Sequence, residues 1–396
     1  MPLGLYISVP FCRTKCTYCN FASDVFSRAV FERYVDRVCA HIHSTPELAR
    51  TMGGRVETGV DSVYLGGGTP TVLDSQQLER LFVTMKQNFG LRPETEVTVE
   101  CAPGTLSPVV LETLLKCGVN RVSLGVQSFV DLEAASVGRL HKGDTVLDDV
   151  VRLRRAGITN ISIDLIAGLP HQTAESWKVS LESVIALDVP HLSVYMLEID
   201  EDSRLGRELI AGGTKYHAHF VPDEGLTADL YETACERLNA AGIQQYEISN
   251  FAREGSESRH NLKYWTRQPY LGFGVDAHSM LLSVSEECEA VRFSTSDALE
   301  EYVAGAAIRR TEVSRQAALE ETFFLGLRLA RGVDLEQVRE KFGTFVVTAL
   351  APVLVDLAGV GLIDWVGDSV RLTPRGRLLS NEVFERFLSA PSHAST

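Results

Sequence analysis

Residues 11–19 read Phe-Cys-Arg-Thr-Lys-Cys-Thr-Tyr-Cys and directly follow a predicted strand at residues 5–9. Cys12, Cys16 and Cys19 therefore share one loop, which can direct three thiolates at one iron–sulfur cube. Such a cube would keep one iron free of protein ligands, and an open position of this kind accepts an exchangeable small molecule. The same spacing also fits a structural zinc site completed by a histidine such as His41, or three unligated buried thiols.

A glycine run, Gly66-Gly67-Gly68-Thr69-Pro70, follows the second predicted strand. Because glycine has no Cβ, the backbone N–H and C=O groups of this run can approach the amino or carboxylate group of a ligand closely. The run is therefore a candidate ligand-binding turn, although many glycine-rich turns are simply tight loops.

Polar residues stand at or near the ends of the next three predicted strands, namely Glu100, Gln127 and Asp164. Because the carboxyl ends of parallel strands meet at one edge of a sheet, we expect these side chains to share a site with the glycine run. A buried carboxylate requires a ligand, a cation or a hydrogen-bond donor. Arg139 is available to pair with a substrate carboxylate.

Short β-branched segments alternate with longer amphipathic segments over the first 250 residues, which is typical of βα units around a parallel sheet. We expect an α/β fold with a partial, TIM-like (β/α)6 barrel. Gly118, Gly157 and Gly242 are expected to end three of its helices in the left-handed conformation. Strands are predicted at residues 5–9, 62–65, 96–100, 121–126, 160–165, 191–196 and 244–248, and helices at 29–43, 76–88, 108–117, 146–156, 174–187 and 226–241.

Two regions follow the predicted barrel domain of residues 1–250. Residues 251–315 lose the regular alternation and are rich in Asn, His, Tyr, Trp and Gly, so we expect an irregular connecting region with functional loops. Residues 316–390 are predicted to form a small α+β winged-helix-like domain with a hairpin about Gly367-Asp368. Residues beyond 390 are expected to be a frayed tail.

The composition excludes several classes of function. The 396 residues carry 38 Lys and Arg against 52 Asp and Glu, a formal net charge of −14, so binding to nucleic-acid phosphates is disfavoured. No segment approaches the roughly 18–20 consecutive apolar residues that span a bilayer, and no secretory signal is recognisable, so we expect a cytoplasmic protein without stable membrane insertion. The absence of a heptad repeat leaves the oligomeric state open, a homodimer included.

The cysteine triad and the Gly-Gly-Gly-Thr-Pro run together resemble those of radical S-adenosylmethionine proteins. Residues 125–129, Gly-Val-Gln-Ser-Phe, and the Arg139 and His141 pair are similar to the oxygen-independent coproporphyrinogen III oxidase group. The resemblance implies a 4Fe-4S cluster on the three cysteines, with S-adenosylmethionine on the fourth iron. It implies an S-adenosylmethionine pocket and two residues, Tyr18 and Phe21, that shield the cluster. The implied pocket is lined by Tyr6, Gly67, Gly68, Thr69, Glu100, Gln127, Arg139 and Asp164.

Three features resemble the haem-chaperone branch of this group more than the true oxidases. The oxidases carry a fourth cysteine where this chain has Phe21, and they have a long N-terminal extension before the cluster strand. Residues 260–265, His-Asn-Leu-Lys-Tyr-Trp, resemble the H-N-x-x-Y-W motif of the chaperones, which implies that His260 is an iron ligand for haem. His278 is a second candidate ligand.

The resemblance therefore implies a protein that binds haem and passes it to an apo-haemoprotein, for which the respiratory chain is a candidate source. Oxidase activity is not expected in such a chaperone. The alternative is an oxygen-independent coproporphyrinogen III oxidase, which would convert coproporphyrinogen III to protoporphyrinogen IX by radical decarboxylation. It would share every cluster residue with the chaperone.

Overall fold

The computed structural model describes residues 1–57 and 59–388, and its main feature is one large mixed sheet. Its strands are β1 (Leu3–Ser8), β2 (Gly54–Arg55), β3 (Gly59–Gly66), β4 (Gly90–Cys101), β5 (Arg121–Gln127), β6 (Asn160–Ala167), β7 (His191–Met196), β8 (Gln244–Gln245), β9 (Asn250–Ala252), β10 (Tyr270–Phe273), β11 (His278–Ser283), β12 (Ala290–Ser294) and β13 (Arg309–Val313). The predicted tail beyond residue 390 lies outside the described residues.

Helices connect these strands along the chain. They are α1 (Arg28–His43), α2 (Thr45–Met52), α3 (Ser75–Asn88), α4 (Pro108–Cys117), α5 (Asp131–Ser136), α6 (Gly143–Arg155), α7 (Ala174–Ala186), α8 (Arg204–Ala211), α9 (Glu224–Ala240), α10 (Arg259–Trp265) and α11 (Leu299–Ala304). Short 3-10 turns lie at Pro70–Val72 and Ala218–Phe220. No helix among the described residues is long and apolar enough to cross a bilayer.

Six neighbouring strands, β1, β3, β4, β5, β6 and β7, run parallel to one another and form the partial barrel. Their connections are helical, as right-handed crossovers between parallel strands require. The predicted fold class is therefore confirmed. Local signals explain the helix ends: Ser107 accepts a hydrogen bond from the Val110 N–H to begin α4, and Gly118 ends that helix at φ +91°.

The stretch between residues 251 and 315 is not irregular, and that expectation is corrected. β10 pairs parallel with β1, and β11, β12 and β13 extend the same sheet in antiparallel order. The sequence conceals these strands because they lack a clean apolar alternation. In β13, Arg309–Val313, the first four residues are exposed and only Val313 is buried.

The C-terminal region adds a smaller unit of helices and a three-stranded antiparallel sheet in the order β14, β16, β15. Its elements are α12 (Arg315–Gly326), β14 (Val333–Asp334), α13 (Leu335–Phe342), α14 (Thr344–Gly359), β15 (Ile363–Val366), β16 (Ser369–Leu372), α15 (Pro374–Leu378) and α16 (Ser380–Leu388). The hairpin turns at Gly367, with φ +59°, where the sequence predicts it. The third strand, β14, has only two residues and carries no recognisable sequence signal.

Candidate cluster and cofactor site

The cysteine loop leaves the carboxyl end of β1 and is anchored by backbone hydrogen bonds on several sides. The Cys12 N–H donates to the Asp24 carbonyl at 3.0 Å, and the Thr17 N–H donates to the Val137 carbonyl at 3.1 Å. The ring of Phe11 is fully buried and stacks on Phe31 with centroids 4.0 Å apart. Packing within the protein therefore positions the loop, as a site that receives a cluster requires.

Each of the three thiols lies near a polar side chain. The Thr69 hydroxyl donates to Cys12 Sγ at 3.8 Å, and Arg139 Nη1 donates to Cys16 Sγ at 3.5 Å. Cys19 Sγ lies 3.8 Å from the Ser23 hydroxyl. Burial raises the pKa of the Cys12 and Cys19 thiols, so a cationic partner such as iron is needed to hold them as thiolates.

The structure does not support the alternative of a zinc site completed by His41. That imidazole packs against Phe273, and its Nδ1 lies 3.2 Å from the Tyr302 hydroxyl. In residues 1–57 and 59–388, no three His, Cys, Asp or Glu side chains lie close enough to hold one metal ion. The ligands of an iron–sulfur cube attach to separate irons, so they need not converge on one point.

The glycine turn packs directly on the cysteine loop. A Cβ at Gly68 would lie 2.6 Å from the Val9 carbonyl oxygen and 3.0 Å from that of Phe11, which are backbone atoms that cannot swing aside. Gly67 adopts φ +89°, and a Cβ there would lie 3.0 Å from the Tyr6 hydroxyl. Glycine is therefore required at both positions, because a side chain at either one would meet these neighbours.

Glu100 is the charged centre of this turn. Its carboxylate accepts the Tyr64 hydroxyl at 2.9 Å and the Gly67 N–H at 3.2 Å. Burial, and next the neighbouring carboxylate of Asp164, raises the pKa of Glu100 to about 7. The ionised form of Glu100 is therefore disfavoured, and a ligand with an ammonium group would stabilise it. S-adenosylmethionine carries such a group.

The next strands and the loop after α5 contribute polar groups, and two of these have one unpartnered atom among the described residues. Asp164 accepts the hydroxyls of Ser123 at 3.1 Å and Ser193 at 2.8 Å. Gln127 adopts the left-handed conformation at φ +71°, and its Oε1 is buried without a hydrogen-bond partner among the described residues. Arg139 Nε is also buried without a hydrogen-bond partner among the described residues, while Nη2 of the same guanidinium donates to the Gly125 carbonyl. Unsatisfied buried polar atoms of this kind fit a bound ligand.

The two residues predicted to shield the cluster have different surroundings. Tyr18 is half-buried and packs against three apolar side chains, those of Val137, Ile166 and Leu169. Phe21 lies on the surface with 64% of its area exposed. Shielding of the cluster by both rings stays a prediction.

His260 lies in α10, against the inner face of the barrel and beside the tyrosines of the Glu100 group. Its Nδ1 lies 3.1 Å from the Ser62 hydroxyl and its Nε2 lies 2.9 Å from the Tyr264 hydroxyl. The ring packs against Tyr6 and Tyr64, with centroids 6.3 and 5.5 Å away. Burial, and then the charge of Lys263, lowers the pKa of His260 to about 3, so the imidazole is neutral. The other candidate ligand, His278, is exposed and lies 3.6 Å from Asp276.

Several residues of this site escape sequence reasoning. Tyr64 is the most informative, because it is the direct register partner of Tyr6 and therefore faces the same side of the sheet. That pairing is a signal that the alternation within β1 and β3 could have provided. Ser123 and Ser193, which satisfy Asp164, carry no comparable signal, since small hydroxyl residues are common in strands.

Comparisons with known proteins agree with this geometry. Residues 6–184 match the radical SAM superfamily, and residues 313–379 match the HemN C-terminal domain. The haem chaperone HemW of Bacillus subtilis is 36% identical over 97% of this chain and 98% of its own length. The chain belongs to the HemW family. The HemW of Lactococcus lactis is 33% identical over 98% of this chain and 97% of its own.

A solved structure supports the radical SAM fold of the chain. Coproporphyrinogen III oxidase (HemN) from Escherichia coli, a radical SAM enzyme, superposes with a TM-score of 0.81 at 26% identity, over 98% of this chain and 90% of that chain. Radical SAM membership implies a 4Fe-4S cluster and S-adenosylmethionine, and the cysteine loop, the glycine turn and the unpartnered groups fit both. The predicted family is thus confirmed, while the role of each site residue stays a prediction.

Proposed function

We propose that this chain is a haem chaperone, which binds haem and passes it to apo-haemoproteins. The observation that carries the proposal is its near full-length similarity to haem chaperones named HemW. Phe21, which stands where the resembling oxidases have a fourth cysteine, supports the same choice. We place the protein in the cytoplasm and take a haemoprotein, for instance one of the respiratory chain, as the acceptor.

The site residues divide into two groups with different tasks. Cys12, Cys16 and Cys19 would hold the 4Fe-4S cluster and leave its fourth iron to S-adenosylmethionine, which supplies reductive radical chemistry when bound. Glu100 supplies negative charge for an ammonium group. The unpartnered Arg139 Nε lies on a guanidinium that also contacts Cys16, so it can bind a carboxylate beside the cluster.

His260 remains the predicted iron ligand, and the structure shows what ligation would require. Both ring nitrogens are engaged, and the side chain is only 1% exposed. Binding of iron through Nε2 would therefore displace the Tyr264 hydroxyl and move α10 away from the inner face of the barrel. His260→Ala should weaken haem binding if this ligation occurs, and unchanged affinity would remove the role.

The alternative function is the oxidase reaction, and the overall similarity to HemN is the observation that favours it. The deciding experiment reconstitutes the cluster anaerobically and supplies reductant, S-adenosylmethionine and coproporphyrinogen III. Mass spectrometry then measures loss of two carboxyl groups, while a parallel titration follows haem by its Soret absorbance and its transfer to apo-myoglobin. Haem binding and transfer without decarboxylation support the chaperone. Decarboxylated product, or a cluster-loaded protein that binds no haem, would overturn it.

A further inference from the structure

A cavity of about 750 Å³ lies between the barrel sheet and the C-terminal unit. Its wall includes Trp265 at the end of α10, Met280 and Ala290 on β11 and β12, and Thr322 on α12. Met1 also lines it, so the cavity opens beside the start of β1, whereas the cysteine loop follows the end of that strand. The six residues of β1 separate the two sites by about 20 Å.

The wall offers apolar side chains and the indole ring of Trp265 to a flat, apolar ligand. Trp265 is held by Arg328, whose guanidinium lies 4.4 Å from the centre of the indole ring. The indole Nε1 is buried and has no hydrogen-bond partner among the described residues. A volume of this size lies within the range of about 300–1,000 Å³ that small-molecule sites occupy.

Arg331 is the cation in the wall that is best placed for a ligand carboxylate. It makes no ion pair within residues 1–57 and 59–388, whereas Arg267 is paired with Glu321 at 2.8 Å. Most of the acidic groups in the wall are already engaged. Glu289 pairs with Arg315 and Lys341, Asp368 with Arg339, and Asp334 accepts the N–H of the exposed Glu336.

We propose that this cavity is the haem-binding site, with the porphyrin ring on the apolar wall beside Trp265 and a propionate on Arg331. The proposal rests on the proposed function, and it is an alternative to haem ligation by His260, whose two ring nitrogens are already engaged. The proposal also explains why the two ends of α10 have different surroundings. His260 is fully engaged inside the barrel, while Trp265, five residues later in the same motif, lines open space.

The test fills the cavity and measures haem affinity on the full, cluster-loaded chain. Thr322→Trp adds bulk on the cavity face of α12, and Thr51→Trp is its matched control on an exposed face of α2. In both helices the threonine hydroxyl donates to the carbonyl four residues earlier, Ala318 at 2.7 Å and Glu47 at 2.9 Å. We expect Thr322→Trp to weaken ferric haem binding at least about tenfold and Thr51→Trp to leave it unchanged.

A second variant covers the outcome in which Thr322→Trp fails to fold. Arg331→Gln should weaken the binding of haem several-fold but not that of haem dimethyl ester, which lacks the carboxylates. Arg309→Gln, at an exposed site on β13, is the control. If wild type binds haem and neither variant at the cavity changes its affinity, the cavity assignment is overturned and the chaperone function stands. If wild type binds no haem, the cavity assignment and the chaperone function are both overturned.

Discussion

Replacement of Glu100 by Gln should stabilise the protein at alkaline pH when no ligand is bound. The carboxyl group has a pKa of about 7 instead of 4.5, mainly because it is buried and next because Asp164 lies nearby. The native state therefore holds this proton more tightly than the unfolded state does. Stability contributed by the protonated group is fully present below about pH 4.5 and is lost as the pH rises through 7.

The size of the effect follows from the same shift. At about 1.4 kcal/mol for each pKa unit, full ionisation costs about 3 kcal/mol, and we expect about 1–3 kcal/mol because solvent reaches part of the side chain. Glutamine keeps an acceptor for the Gly67 N–H, and its amide can donate to the Tyr64 hydroxyl in place of the bond that this hydroxyl donates to Glu100. The substitution thus removes the charge with little change in packing.

The assay is urea unfolding of the cluster-loaded protein without S-adenosylmethionine, followed anaerobically by tryptophan fluorescence between pH 5 and pH 8. The free energy of unfolding of Glu100→Gln relative to wild type should rise by about 1–3 kcal/mol across this range. Glu232→Gln, an exposed change on α9, should give a flat difference. If the difference in unfolding free energy between Glu100→Gln and wild type is also independent of pH, the argument that burial disfavours the ionised carboxylate is refuted.

Three further predictions concern the cysteine loop, the glycine turn and the ion pairs that Glu321 makes with Arg267 and Arg292. Cys12→Ser should abolish cluster assembly, measured as bound iron and visible absorbance, whereas Cys101→Ser, at a buried cysteine outside the triad, should keep the cluster. Gly68→Ala should lose most of its iron because its Cβ meets backbone, while Gly359→Ala, with open space around it, should not. Glu321→Gln should lower the free energy of unfolding by about 2–4 kcal/mol, measured by urea denaturation, because two guanidiniums flank this buried carboxylate.

How well the fold could be predicted depended on where each strand buries its side chains. The strand β7, His191–Met196, and the helix α4, Pro108–Cys117, have the bounds that the sequence predicts. Both have strong apolar periodicity and are flanked by residues that favour the end of a strand or helix. β4 is longer than predicted, because its first residues pair with β3 while remaining mostly exposed. Such a segment has backbone pairing without the apolar signal from which a strand is predicted.

The two proposed sites differ in predictability for a reason of chain geometry. The three cysteines lie within eight consecutive residues, so their spacing alone brings them into one loop, and the structure adds only the contacts that fix it. The cavity wall is instead assembled from α10, β11, β12, α12, β14, α13 and β16, and from the first residue of the chain. No spacing links these segments, and β11 and β12 lie in the stretch predicted to be irregular. Trp265 was visible in its motif, but the space beside it exists only because the C-terminal unit packs against the extended edge of the sheet.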